Sequence, residues 1–214
     1  MDQRRRNWPP ALDEWLTQRG GPSTCPSVGQ GVPFEEVEST TSKCADFIQK
    51  VGTELRLPQM TIATAQIFFH RHYTVNSLTD TDHFMVAYAA CFLAGKVEDT
   101  PKKLKDCILV MHGLRLQATG QPMGNWPPKK PDTDATFLEI KEKVLKQELE
   151  LMKVMSFDLN VEHAYKHVLE YAKRVGGSRD LAQVAWNFSN DSLRTRLCVQ
   201  VCRTPLQLRP GARP

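Results

Sequence analysis

Histidines and cysteines are the residues here best able to hold a metal or attack a substrate, and their spacing does not support either role. His70-x-His72 and Cys198-x3-Cys202 are pairs that a metal could use. Neither is followed by a second pair at structural-zinc spacing, so the four-ligand pattern is missing and no metal is expected. Catalytic signatures fail in turn: there is no Gly-x-Ser-x-Gly, no Walker loop, no Gly-x-Gly-x-x-Gly and no His-Glu-x-x-His. Two charges in apolar company stand out instead. Lys96 follows Phe92 and Leu93 by four and three residues, and Glu148 lies between Val144 and Leu145 on one side and Leu151 and Met152 on the other. A charge in such a stripe needs a partner, or the edge of a surface that another protein covers. Periodicity alone favours a plainer arrangement, in which both side chains lay their stems along apolar surface and keep their charges in water.

The elements that must position these residues read as helices. Residues 1–33 form an irregular lead-in with prolines at 9, 10, 22, 26 and 33 and tryptophans at 8 and 15. From about Phe34 a first apolar stripe runs through Ala45, Ile48, Val51, Gly52 and Leu55. Pro58 resets the chain, and Ile62, Ala65, Phe69 and Tyr73 carry a second stripe. A third helix runs from about Asp80 to Val97, and its 84–95 segment is apolar almost all round, which places it in the middle of a bundle. Thr100-Pro101 reads as an N-cap followed by proline at the first helical position, opening a short fourth helix to about His112. Residues 113–134, with Gly120, Pro122, Gly124, Pro127, Pro128 and Pro131, read as a long loop. A fifth helix over 135–155 carries Phe137, Ile140, Val144, Leu151 and Met155. A sixth carries Tyr165, Val168, Leu169, Ala172 and Val175 and ends at Gly176-Gly177, and a seventh opens near Arg179. No alternating strand pattern occurs, so the fold class is all-α.

Composition bounds the function. The 214 residues are 41% hydrophobic and 24% charged, ordinary for a folded protein and against global disorder. The net charge of +4 is spread along the chain, which gives little support to direct nucleic-acid binding. No apolar run approaches the roughly 18 to 20 residues needed to span a bilayer. No apolar region follows the basic Arg4-Arg5-Arg6, so neither a membrane span nor a secretory signal is expected. The six cysteines then read as reduced thiols of an intracellular protein.

Several segments together resemble a known family. Phe68-Phe69-His70-Arg71-His72-Tyr73, followed by the run from Ala90 to Lys103, is similar to the first cyclin box, and Glu148 through Phe157-Asp158-Leu159 is similar to the end of that box's fifth helix. The similarity is to transcriptional cyclins of the K, T and L types. It extends upstream to Trp15, Pro26-Ser27 and Gly31, and downstream to Val161-Glu162-His163 and the 185–193 segment, which resemble the opening of a second box. It covers roughly residues 15 to 200.

The resemblance implies a five-helix first cyclin box over 34–158, the start of a truncated second box over 159–200 and a divergent irregular tail over 201–214. It implies a regulatory subunit without catalytic groups or cofactor, partnered by the catalytic subunit of a cyclin-dependent kinase in the nucleus. The C-terminal repeat of RNA polymerase II would be the substrate of that kinase. Lys96 and Glu148 match the box's kinase-contacting Lys and Glu, and Glu98, Asp99, Lys102 and Lys103 would form a charged rim. Two other functions stay open: a general transcription factor of the TFIIB type with cyclin-like repeats, and a form that binds the kinase without activating it.

Overall fold

The computed structural model describes residues 25–200, and every regular element in that span is helical. The lead-in residues before 25, including Trp8, Trp15 and the Arg4–Arg6 run, and the 201–214 tail lie outside the described residues. A single helical turn, Pro26–Gly29, interrupts the expected irregular lead-in: Pro26 supplies the fixed φ that suits a first helical position. Five longer helices follow: α1 (Phe34–Glu54), α2 (Gln59–His72), α3 (His83–Val97), α4 (Leu104–Thr119) and α5 (Ala135–Val154). A helical hairpin follows, α6 (Ala164–Arg174) and α7 (Arg179–Ser192), and the described residues end in a turn at Leu197–Gln200.

α3 is the axis of the bundle and packs on each of α1, α2, α4 and α5. Its all-round apolar segment accounts for this, since Val86, Ala87, Tyr88, Ala89, Ala90 and Ala94 are all fully buried. Small residues let neighbouring backbones approach, and Gly52 of α1 is the clearest case. A Cβ there would stand 2.4 Å from Ile62 Cγ1, so α1 and α2 cross at contact distance because residue 52 has no side chain.

Four features depart from the sequence reading. α2 is buried on both sides: Ile62, Ala65, Phe68 and Phe69 face the bundle core, while Ala63 and Ile67 pack with Tyr165 and Leu193 of the hairpin region. A single visible stripe underestimates a helix that two layers cover. Thr100 does not cap α4, which starts at Leu104 after Lys103. Its backbone N–H bonds Gly95 O at 2.9 Å with Asp99 left-handed at φ 53°, the geometry that ends α3, and its hydroxyl meets Thr61 Oγ1 at 2.9 Å. α4 is also longer than expected. It runs through Gly113 to Thr119 because Trp126 folds back, with its indole N–H donating to Leu109 O at 3.0 Å and its ring lying 3.5 Å from where a Gly113 Cβ would be. The loop after α4 is therefore confined to residues 120–134, with a 3-10 turn at Pro131–Thr133.

Candidate partner-docking site

Lys96 sits in the last turn of α3 and Glu148 two turns before the end of α5, and the contact between these helices brings the side chains together. Lys96 Nζ lies 2.7 Å from Glu148 Oε1 and 4.1 Å above the centre of the Phe92 ring. The pair is lopsided: the glutamate side chain is 7% exposed, the lysine 46%. Glu148 falls on the buried face of α5 with Val144, Gln147 and Leu151, so its carboxylate would be stranded without the ammonium. Lys96 lays its stem along Phe92 and offers its head to solvent. The arrangement combines the two possibilities open from sequence, a paired charge and a snorkelling one.

The other four candidates lie just past α3, and they do not share one environment. Glu98 turns onto α2, where it accepts from Thr64 Oγ1 at 2.6 Å and lies 3.7 Å from His163 Nε2. The single Thr64 hydroxyl proton goes to Glu98, so His163 Nε2–H donates to Thr64 Oγ1 across 2.8 Å. Burial lowers the His163 pKa, and the Glu98 charge pulls it partly back. Asp99 is exposed on the tight turn, and Lys102 and Lys103 are exposed ahead of α4. Lys96 and Glu148 thus form one unit, and Glu98 belongs to the joint with the hairpin.

Sequence reading missed a second stripe on α5. Leu138, Leu145 and Leu149 are each more than 40% exposed, with Met152 partly so, about a third of a turn round the helix from the buried stripe and next to Glu148. Just beyond α5, Ser156 (φ 50°) and Phe157 (φ 61°) take consecutive left-handed conformations, and the Phe157 side chain stands 64% exposed. Strain of this kind persists where surrounding structure enforces it, often at functional surfaces. The signal was present as an excess of leucines over what one buried face needs. Among the described residues no group of three or more His, Cys, Asp or Glu could hold a metal. His70 instead uses Nε2–H on Leu193 O at 2.9 Å, and Cys202 lies outside the described residues. A charge pair bordered by exposed apolar side chains is suited to receiving a helix of another protein.

Comparison with known proteins decides the family, since the model of the cyclin N-terminal domain matches residues 34–160. The chain belongs to the cyclin family. This cyclin is 37% identical over 171 residues to Cyclin-T1-3 of Oryza sativa subsp. japonica, covering 79% of this chain and 34% of that one. It is 33% identical over 187 residues to Cyclin pch1 of Schizosaccharomyces pombe, covering 87% and 53%. With Homo sapiens Cyclin-L1 it shares 33% over 191 residues, 88% and 35% of the two chains. It therefore spans about a third to a half of the length of these curated relatives. A chain from the crystal structure of the yeast RNA Pol II CTD kinase CTDK-1 complex superposes with a TM-score of 0.70 at 21% identity, covering 91% of this cyclin and 58% of that chain. That likeness is one of fold, and it includes the helical hairpin as well as the bundle.

Proposed function

We propose that this cyclin binds the catalytic subunit of a nuclear cyclin-dependent kinase through the α3–α5 face and holds it in its active conformation. RNA polymerase II's C-terminal repeat would then be the substrate. The observation that carries this reading is the Lys96–Glu148 pair bordered by the exposed Leu138, Leu145 and Leu149 stripe. The stripe would bury against a kinase helix, and the half-exposed lysine would fix its register. In active kinases a helix glutamate pairs with the lysine that positions ATP, and a surface that prefers that helix position shifts the kinase toward activity. The cyclin then supplies differential affinity and no reacting group. The net charge of +4 supports no direct contact with nucleic acid in this role.

The test is to mix the purified chain with catalytic subunits of transcriptional cyclin-dependent kinases, then measure binding and phosphorylation of a Ser-Pro repeat peptide. Leu145→Asp with Leu149→Asp should weaken binding by at least about a hundredfold while leaving helicity intact, because both side chains are exposed in the free chain. Binding without phosphorylation would favour the non-activating form, and absence of binding to every kinase tried would overturn the proposal.

The charge pair makes an asymmetric prediction. Lys96→Met strands a buried carboxylate and should lower stability by about 1–3 kcal/mol, whereas Glu148→Gln leaves a lysine that water can solvate and should cost less than about 1 kcal/mol. Urea unfolding of the free chain measures both. Equal losses would mean that the two charges are equally buried.

A further inference from the structure

Arg196, between α7 and the last turn, is the largest fully buried side chain among the described residues at 2% exposure, and no carboxylate among them pairs with it. A guanidinium does not give up its proton in a protein, and a buried charge without an opposing one is costly. Its Nε–H and Nη2–H donate to nothing among the described residues. Its Nη1–H donates to Cys25 Sγ at 3.2 Å, across 171 positions of sequence, and its guanidinium carbon lies 6.0 Å from the centre of the Phe34 ring. Two other titratable groups feel the same charge, His70 of α2 and Cys198 of the last turn. Burial keeps both neutral at pH 7, pulling His70 down to about 4 and pushing Cys198 up to about 12. Cys25 is left as the group able to supply the opposing charge. Burial pushes its thiol up, but Arg196 and the N–H groups of Ser27 and Val28 outweigh this and bring it below the ordinary value. Burial alone governs the other core thiols, raising Cys44 to about 12, Cys107 to about 11, and Cys91 as well.

We propose that Cys25 is a redox modification site, a thiolate paired with Arg196 that a small hydroperoxide takes to the sulfenate. The sulfur attacks the terminal peroxide oxygen: an S–O bond forms, the O–O bond breaks, and the sulfur gives up two electrons to the peroxide. The proton on the transferred oxygen passes to the departing hydroxide or alkoxide, which leaves as water or an alcohol. The unused Nε–H and Nη2–H of Arg196 are donors suited to the oxygen that the sulfur gains. Cys25 is 3% exposed and heads a single turn, Pro26–Gly29, so the oxidant must be small and enters as that turn opens. The site joins the turn before α1 to the segment after α7. It shares no residue with the Lys96–Glu148 site and does not rest on the kinase reading.

The ultraviolet absorbance of a thiolate, taken as the difference between the full 214-residue chain and Cys25→Ser, reads the ionisation without any reagent. One thiolate is expected at pH 7, and Arg196→Met should remove it. Brief treatment with hydrogen peroxide, then dimedone labelling and peptide mass spectrometry, reads the chemistry. Cys25 should label at least about tenfold faster than Cys44, Cys91, Cys107 or Cys198. Arg196→Met should slow that labelling at least about tenfold, and Arg196→Lys, which keeps the charge, should restore part of the rate. Unchanged helicity and unchanged hydrogen exchange in α3 verify that the variants are folded, and the ranking of cysteines within the unaltered chain decides even where a variant does not fold. No thiolate absorbance at pH 7, a Cys25 that labels no faster than Cys91, or an equal rate in folded Arg196→Met would each overturn the proposal.

Discussion

The five-helix bundle and the α6–α7 hairpin are built from the same kind of element and held by different forces. The bundle buries a continuous apolar core around Tyr88, Phe68, Phe69, Phe137, Ile48 and Leu151. The hairpin contributes far less: Tyr165 is the buried residue of α6, and α7 itself has none. Directional contacts dock it on the bundle. Tyr165 donates its hydroxyl to Asn190 Oδ1 at 2.7 Å, Gln59 Nε2 reaches the same atom at 3.3 Å, and Arg194 pairs with Asp46 at 2.5 Å. The Thr64–His163 and His70–Leu193 bonds complete the seam. Apolar burial is non-directional and sums over many contacts, so one lost contact is shared among neighbours. A polar seam depends on individual groups and their protonation, so its stability can be changed one atom at a time.

The largest expected effect is in the bundle. Tyr88 is fully buried, packs 6.0 Å from the Phe47 ring and donates to Met111 O at 3.0 Å. Tyr88→Ala should remove about 3–5 kcal/mol and lower the stability of bundle and hairpin alike. Denaturant unfolding followed by helix signal measures it. A loss below about 1 kcal/mol would show that α3 is not the element the rest is built on.

Acid should act next, and on α2, where the two regions meet. Burial pulls the His70 imidazole down to about 4, and its Nδ1 has no hydrogen-bond partner to receive a proton's charge. Burial likewise brings His72 to about 4, against the opposing pull of Asp80 and Glu150. Between the ordinary histidine value of about 6.5 and about 4, the unfolded chain binds protons that the folded chain refuses. Stability is therefore intact at neutral pH and falls as the pH drops through that window, by on the order of 3 kcal/mol for each histidine at its lower end. Urea midpoints at pH 7 and pH 4.5 test this, and His72→Gln should roughly halve the dependence, His70 supplying the rest. An unchanged midpoint would mean that both rings are protonated in the fold.

The smallest effect separates the regions most cleanly. Tyr165→Phe removes one hydrogen bond to Asn190 and keeps the ring stacked 4.2 Å from Trp186. A loss of about 1 kcal/mol should appear in the hydrogen exchange of α6 and α7 and leave α3 unchanged. Equal acceleration in α3 would show one cooperative unit where the contacts show two.

Sequence by itself determined much of this cyclin, because helix periodicity, caps and end signals act over a few residues. Asp82, Asp134 and Ser178 accept from the first turns of α3, α5 and α7, and Gly176 takes φ 64° after α6. The all-round apolar 84–95 segment can be satisfied only at the centre of a bundle, and a charge within each of two apolar stripes marked Lys96 and Glu148. Tertiary structure decided what one helix cannot encode, namely which neighbour covers each face. Trp126 reaches back 17 residues to Leu109 and carries α4 through Gly113. α2 is buried on its second side only because the hairpin docks there, and Glu98, a quarter exposed, is turned onto α2 by Thr64 and His163. Leu145 and Leu151 are the same residue type, but only Leu151 falls on the periodic stripe of α5, and one is 43% exposed and the other fully buried. The physical reason is that hydrophobicity is a property of a side chain, whereas burial is a property of what lies against it.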